Sequence, residues 1–290
     1  MRTVPLRLAL AALVCLLLNG PAEAEPSTCS GHPEALGVSR VIEVDPTGGP
    51  RLGTLQYPSS IDLAPMEVVL TFDDGPRPKK TERILDVLDE YCVKATFFEI
   101  GQWVAAHPEL TREVLARGHT VGSHSWSHPR NLGHLPVDKA EAEIDRGFEV
   151  LNDVSGGRAA PFFRYPGLNA SATLNAYLAT RGDAIISCDV VSDDWRQISA
   201  SEIVKRTLAR LQRQRKGIIL FHDTESATVE ALPILLSELE KRGYRVAHMV
   251  PKPPVAEPAP IQSSAPAAQH QLPAIAAVRP TPGAKPAALP

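Results

Sequence analysis

Between residues 68 and 249 the sequence alternates short apolar stretches with longer segments of helical spacing, and this order restricts the fold more than any other feature. The apolar stretches run over residues 68–73, 95–100, 120–124, 162–165, 184–190, 218–222 and 245–249, many of them β-branched, as strands buried on both faces require. The segments between them place apolar residues on one face: Ile84, Leu85, Leu88 and Tyr91 in one, Ile203, Val204, Leu208 and Leu211 in another. Several close on a basic residue followed by glycine, at Arg117-Gly118, Arg181-Gly182, Lys216-Gly217 and Arg242-Gly243, which suits a helix C-terminus. The order predicts an α/β fold, either a doubly wound open sheet or a barrel close to (β/α)8 with one unit missing. Asp73, His124, Arg164, Asp189 and His222 each end a different strand. A barrel would gather them at one mouth, whereas an open sheet would spread them along a crevice.

The ends of the chain differ from this middle. Arg2 and Arg7 precede an apolar run from Leu8 to Leu18, and Ala22-Glu23-Ala24 follows as a small-x-small cleavage pattern, so residues 1–24 read as a secretory signal peptide. No other segment reaches the roughly 20 apolar residues of a membrane span, so none is expected after signal cleavage. Removing Arg2, Arg7 and Glu23 takes the charge count from 30 basic and 33 acidic to 28 and 32, a balance that does not favour nucleic acid as a partner. Residues 25–65 form an N-terminal extension with one short strand at 41–44, either packed on the main domain or a linker. Residues 251–290 are dominated by Pro and Ala and cannot bury enough surface to offset ordering entropy, so a disordered tail is expected. Residues 66–250 remain as the main domain. Cys29, Cys92 and Cys188 define neither a disulfide framework nor a C-x-x-C metal site, and Cys92 and Cys188 read as packed thiols.

Two adjacent carboxylates, Asp73 and Asp74, end the first of the buried strands in Thr71-Phe72-Asp73-Asp74-Gly75-Pro76. Carboxylates so placed need compensating cations. His124-Ser125-Trp126-Ser127-His128 offers two imidazoles four residues apart, on one side of a helical turn with about 6 Å between their Cβ atoms, so both could reach one cation. With a strand-end carboxylate as third ligand the set becomes His2Asp with an open position, a catalytic zinc arrangement. Trp126 stacks on a ligand ring or simply packs, while His107, His119, His134 and His248 are expected to be structural or surface histidines.

T-F-D-D-G-P, then H-S-x-x-H-P, an R-x-P-G turn, a D-W pair and a L-F-H-D strand end resemble, as an ordered set over residues 66–250, the polysaccharide deacetylases of carbohydrate esterase family four. That resemblance implies a distorted, TIM-barrel-like (β/α)7 barrel. It also implies one divalent metal, foremost Zn2+ with Co2+, Ni2+ or Mn2+ as substitutes, held by Asp74, His124 and His128. It makes Asp73 the general base, paired with Arg164, and directs the backbone N–H of Gly167 at the developing oxyanion. His222 becomes the general acid oriented by Asp194, with Asp189 and Asp193 as competing choices in the same segment. Tyr165 and Gly167 border the substrate, and Trp195 and Leu220 wall the acetyl pocket. Two neighbours on one strand point to opposite sides, which would give Asp73 and Asp74 separate duties.

One departure stands out: many relatives carry an aromatic after the proline of the third motif, and this chain reads Arg164-Tyr165-Pro166-Gly167-Leu168. The implied substrate is an acetylated amino-sugar oligo- or polysaccharide, of chitooligosaccharide or peptidoglycan type, and export implies a periplasmic or extracellular site of action. The alternatives are an O-acetyl esterase on xylan-like glycans and an inactive carbohydrate-binding protein of the cell envelope. A haloacid-dehalogenase phosphatase is disfavoured, because such enzymes space their two aspartates two apart on one strand face.

Overall fold

The computed structural model describes residues 36–253, and the segment expected to be a signal peptide, Cys15, Cys29 and nearly all of the Pro/Ala-rich tail lie outside them. One compact unit ends at Pro253. Its strands are β1 (Val38–Val44), β2 (Arg51–Leu52), β3 (Glu67–Asp73), β4 (Thr96–Glu99), β5 (Thr120–Ser123), β6 (Phe162–Phe163), β7 (Ala184–Ile186), β8 (Val190–Val191), β9 (Gly217–His222) and β10 (Arg245–Pro251). The helices are α1 (Lys80–Glu90), α2 (Gly101–Ala106), α3 (Pro108–Ala116), α4 (Val137–Ser155), α5 (Ala172–Arg181), α6 (Ala200–Gln214) and α7 (Ser226–Lys241). Among the described residues no helix is long and apolar enough to cross a membrane.

Every strand pairing is parallel, and the architecture is a distorted (β/α)7 barrel. Strand β3 lies at its centre, against β9 over its length and against β4 at its C-terminal end. The seven anticipated strands are present, with two differences. Residues 184–190 are read as one strand, yet they split into β7, which pairs with β6, and β8, which pairs with β9, so one segment serves two parts of the wall. Strand β10 touches β3 only at its start, through Arg245 and Val246, and then pairs with β1. The extension is therefore no linker: β1 and β2 are both strands of the sheet.

Period-two alternation sorts the β3 side chains. Val68, Leu70 and Phe72 face outward into the layer beneath α1, α6 and α7, where Phe72 stacks on Phe97 and Phe221 at 5.1 and 5.7 Å between centroids. Val69 faces the interior with Phe98, Ile218, Leu220 and Met249, and Thr71 and Asp73 share its face two and four residues on. Burial of these apolar faces is the main stabilising contribution, about 25 cal/mol per Å2. Glycines end the helices much as anticipated, with Gly182 at φ 77° capping α5, but α6 is capped by Arg215 at φ 65° rather than by Gly217. Cys188 is a buried free thiol pushed up to about 12 by burial. Cys92, expected to be a packed thiol, is instead disulfide-bonded.

Candidate active site

Register sets the site. Asp73 and His222 are direct Cα partners on β3 and β9, so their side chains rise from the same level of the wall. Ser123 and Phe163 are partners on β5 and β6, which places the next residues, His124 and Arg164, at a second common level. Between them lies a cavity of about 280 Å3, lined in part by Asp73, Asp74, His124, His128, Tyr165, Gly167, Trp195, Leu220 and His222.

The histidine pair differs locally from the sequence expectation. Residues 124–128 form no helical turn: Ser125 and His128 have φ of 68° and 59°, and the Ser125 hydroxyl accepts the His128 N–H at 3.1 Å. This bent loop brings the imidazole centroids within 4.9 Å. Asp74 also leaves strand geometry, at φ 77°. A regular strand would send Asp73 and Asp74 to opposite faces. The left-handed turn instead brings both carboxylates to His124, whose Nε2 lies 3.8 Å from Asp73 Oδ2 and 3.4 Å from Asp74 Oδ1. Gly75 follows of necessity, since a Cβ there would stand 2.2 Å from Asp223 Oδ2.

Asp74, His124 and His128 fit one divalent cation. Four-coordinate zinc with bonds of about 2.0–2.1 Å to N or O separates its ligand atoms by about 3.3–3.4 Å. Asp74 Oδ1 lies 3.4 Å from His124 Nε2 and 3.3 Å from His128 Nε2. That oxygen is buried and has no hydrogen-bond partner, so a cation would satisfy it. His124 Nδ1 lies 2.7 Å from the Arg164 carbonyl oxygen and donates to it, which leaves Nε2 as the ligand atom. Burial, reinforced by the His124 charge, depresses His128 to about 4, so its imidazole is neutral as ligation requires. Burial alone would raise the Asp74 carboxyl, but the close approach of His124, with His222 and His128 also nearby, outweighs it and holds the group well below the usual carboxylate range.

Arg164 is completely buried. Its guanidinium donates to Asp73 Oδ1 at 2.7 Å, Thr71 Oγ1 at 2.8 Å and the carbonyls of Ile186 and Ser187 at 3.0 and 2.8 Å, and it lies 4.1 Å from the Phe98 ring centroid. It supplies the positive charge that a buried Asp73 carboxylate needs.

Of the three aspartates at residues 189–194, Asp194 meets His222. Its Oδ1 accepts from His222 Nδ1 at 2.8 Å, and its Oδ2 takes the His222 backbone N–H at 2.7 Å and the Thr228 hydroxyl at 2.6 Å. Burial would depress His222, but the hydrogen bond and charge of Asp194, with the charges of Asp73 and Asp74, push it up to about 9. A histidine raised in this way stabilises the fold below pH 6.5, and the contribution is lost as pH rises through 9. Turnover that uses protonated His222 is therefore expected to decline through about pH 9, and Asp194→Asn to move that decline toward 6.5; a kcat profile of both proteins checks the shift.

Asp189 does not face the mouth. Its carboxylate accepts from Thr54 N, Thr54 Oγ1, Ser60 Oγ and Ile218 N, and so ties the N-terminal extension to β9. Asp193 pairs with Arg196, Arg206 and Arg210.

Gly167, at φ 56°, lines the cavity from a short turn whose own hydrogen bonds run from Leu168 to Tyr165 and from Asn169 to Pro166 and do not use the Gly167 N–H. Tyr165 borders the cavity with its ring, while its hydroxyl donates to Asn175 at 3.0 Å. Trp195 is 44 % exposed and lies edge-on to His222 at 5.7 Å between centroids. Trp126 packs beneath the Arg146 guanidinium, which stands 3.5 Å from its ring centroid.

Several site residues escaped sequence reading. Thr71, two before Asp73 and hence on the same face, was accessible from strand period. Arg130 and Leu168 line the cavity from loops, where periodicity carries no signal. Glu99 and Asp223 are fully buried carboxyls behind the site, raised by burial to about 8 and about 7, and each accepts from a threonine hydroxyl, Thr111 and Thr81 respectively.

Known proteins are similar to this chain in sequence and in fold. A family described as polysaccharide deacetylase matches residues 61–182. A chitooligosaccharide deacetylase of Bradyrhizobium is 32% identical over 200 residues, covering 64% of this chain and 89% of that protein. A peptidoglycan-N-acetylmuramic acid deacetylase of Bacillus subtilis is 32% identical over 193 residues, covering 67% of this chain and 40% of that protein. Among solved structures, a peptidoglycan deacetylase of Bdellovibrio bacteriovorus superposes with a TM-score of 0.67 at 37% identity, covering 74% of this chain and 59% of that one. This chain belongs to the polysaccharide deacetylase family, carbohydrate esterase family four. It spans less than two thirds of the Bacillus relative and of the Bdellovibrio chain.

Proposed function

We propose that this chain is an exported, metal-dependent deacetylase that hydrolyses the N-acetyl groups of N-acetylglucosamine-containing glycans to acetate and free amine. One observation carries the reading: the Asp74, His124 and His128 trio, the Arg164-paired Asp73 and the Asp194-bound His222 all open on one cavity. A divalent cation held by the trio would act as a Lewis acid on the acetyl carbonyl and acidify water. Zinc suits the donor set, and Co2+, Ni2+ or Mn2+ would be accepted by the same ligands.

Asp73 takes the proton from the water that attacks the carbonyl carbon. The Gly167 N–H stabilises the oxygen on which charge develops. His222 uses Nδ1 to hold Asp194, so its Nε2 carries the proton that passes to the nitrogen as the C–N bond breaks. Leu220 and Trp195 enclose the acetyl methyl. A protonated acid opposite the base favours an amide over an ester, because an amine departs poorly unless protonated. That argues against the xylan O-acetyl esterase, and the full complement of acid, base and ligand positions argues against an inactive binding protein.

Acetate release from chitooligosaccharides, peptidoglycan and acetylxylan, with added Zn2+ or Co2+, tests the reading. Release from the first two is expected, and no release from any by folded, metal-loaded protein would sink it. His124→Ala is expected to lose the metal, as read by elemental analysis after dialysis; metal content equal to that of the parent protein would refute the ligand assignment.

A further inference from the structure

Neither the chemistry above nor the fold uses Arg130. It lies two residues beyond His128, is exposed, and lines the same cavity as Asp73, Asp74 and His222. It lies against Gly167: a Cβ built on that glycine would stand 3.6 Å from the Arg130 carbonyl oxygen and 3.7 Å from its Nε. The guanidinium thus lies against the turn whose N–H faces the acyl oxygen. Among the described residues its side chain makes no hydrogen bond, ion pair or ring contact. Arg130 is the one arginine among the described residues that line this cavity, and other arginines are engaged elsewhere: Arg164 on Asp73, Arg206 and Arg210 on Asp193, Arg77 over Trp103 and Arg146 over Trp126.

We infer that Arg130 is a specificity-determining residue that selects amino sugars bearing a carboxylate next to the acetamido group; the inference rests on the deacetylase reading. A guanidinium beside the acyl site reaches substituents on the carbons flanking the acetamido carbon, not distant sugars of the chain. The ligand that matches its planar fork is a carboxylate, bound by two parallel N–H bonds. A carboxylic acid joined through an ether to the neighbouring ring carbon, as in an N-acetylmuramic acid residue freed of its peptide, presents that group. An acidic sugar would otherwise meet the two aspartates of the cavity, and Arg130 supplies the opposite charge where the substrate enters.

The test compares kcat/KM for acetate release from two defined probes. One is the neutral N-acetylglucosamine tetramer, and the other is a peptide-free tetramer alternating N-acetylglucosamine with N-acetylmuramic acid. In Arg130→Gln the acidic-to-neutral ratio is expected to fall about tenfold or more, chiefly through KM on the acidic probe, and Arg130→Lys is expected to recover part of it. An unchanged ratio, an equal loss of kcat on both probes, or no recovery with lysine would overturn the inference. Equal loss would place Arg130 on the oxyanion instead. Circular dichroism and metal content of each variant exclude misfolding as the cause. If the parent protein releases acetate from neither probe, the deacetylase reading fails; release with a ratio indifferent to residue 130 fails the selectivity alone.

Discussion

Asp73→Asn is expected to lower kcat for acetate release by about 10^2- to 10^4-fold, the contribution of a positioned general base, while metal content stays at the level of the parent protein. Asparagine still accepts the Arg164 N–H that Asp73 Oδ1 accepts at 2.7 Å, but it cannot take a proton from water. The metal trio contains Asp74 and not Asp73, so a base variant and a ligand variant separate. Elemental analysis alongside single-substrate kinetics reads both quantities. Near-parent kcat in Asp73→Asn would remove the base role, and loss of metal would make Asp73 a ligand.

The largest effect on stability is expected at Arg164. Arg164→Met fills much of the same volume yet leaves the Asp73 carboxylate, 2 % exposed, without its cation, and strands the acceptors on Thr71, Ile186 and Ser187. Breaking one side of a buried ion pair costs about 3–5 kcal/mol, so the urea midpoint should fall sharply. Removing both charges in Asp73→Asn/Arg164→Met should cost less than the sum of the single changes, since neither group is then left alone. Additive losses would mean that the pair is not the source of the effect.

The strands were legible because their two faces are buried for separate reasons. Val68, Leu70 and Phe72 pack against helices and Val69 fills the interior, so the whole run reads as apolar. The division of residues 184–191 into two strands was not legible, because it depends on which neighbours the segment meets at each end. Motif order identified the side chains that line the cavity but misjudged how they arrive there. His124 and His128 meet through a bend with two left-handed residues, and Asp74 reaches its partners through φ 77°, neither of which a residue-spacing argument contains. The choice among Asp189, Asp193 and Asp194 likewise needed three-dimensional neighbours. Asp189 is claimed by Thr54 and Ser60, far away in sequence, and Asp193 by arginines of α6.

The hold of Asp189 on the extension separates the limit of ancestry from the limit of folding. The family model's match begins at residue 61, yet Thr54 and Ser60 satisfy a carboxylate buried in the barrel wall, β2 completes the edge of β7, and β1 covers β10. A chain cut at that residue would open two strand edges and leave the buried Asp189 carboxylate with the Ile218 N–H but without its Thr54 and Ser60 donors. The segment that the family model leaves out is thus bound to the wall on which His222 stands, and a truncation at residue 61 would remove part of the sheet together with the extension.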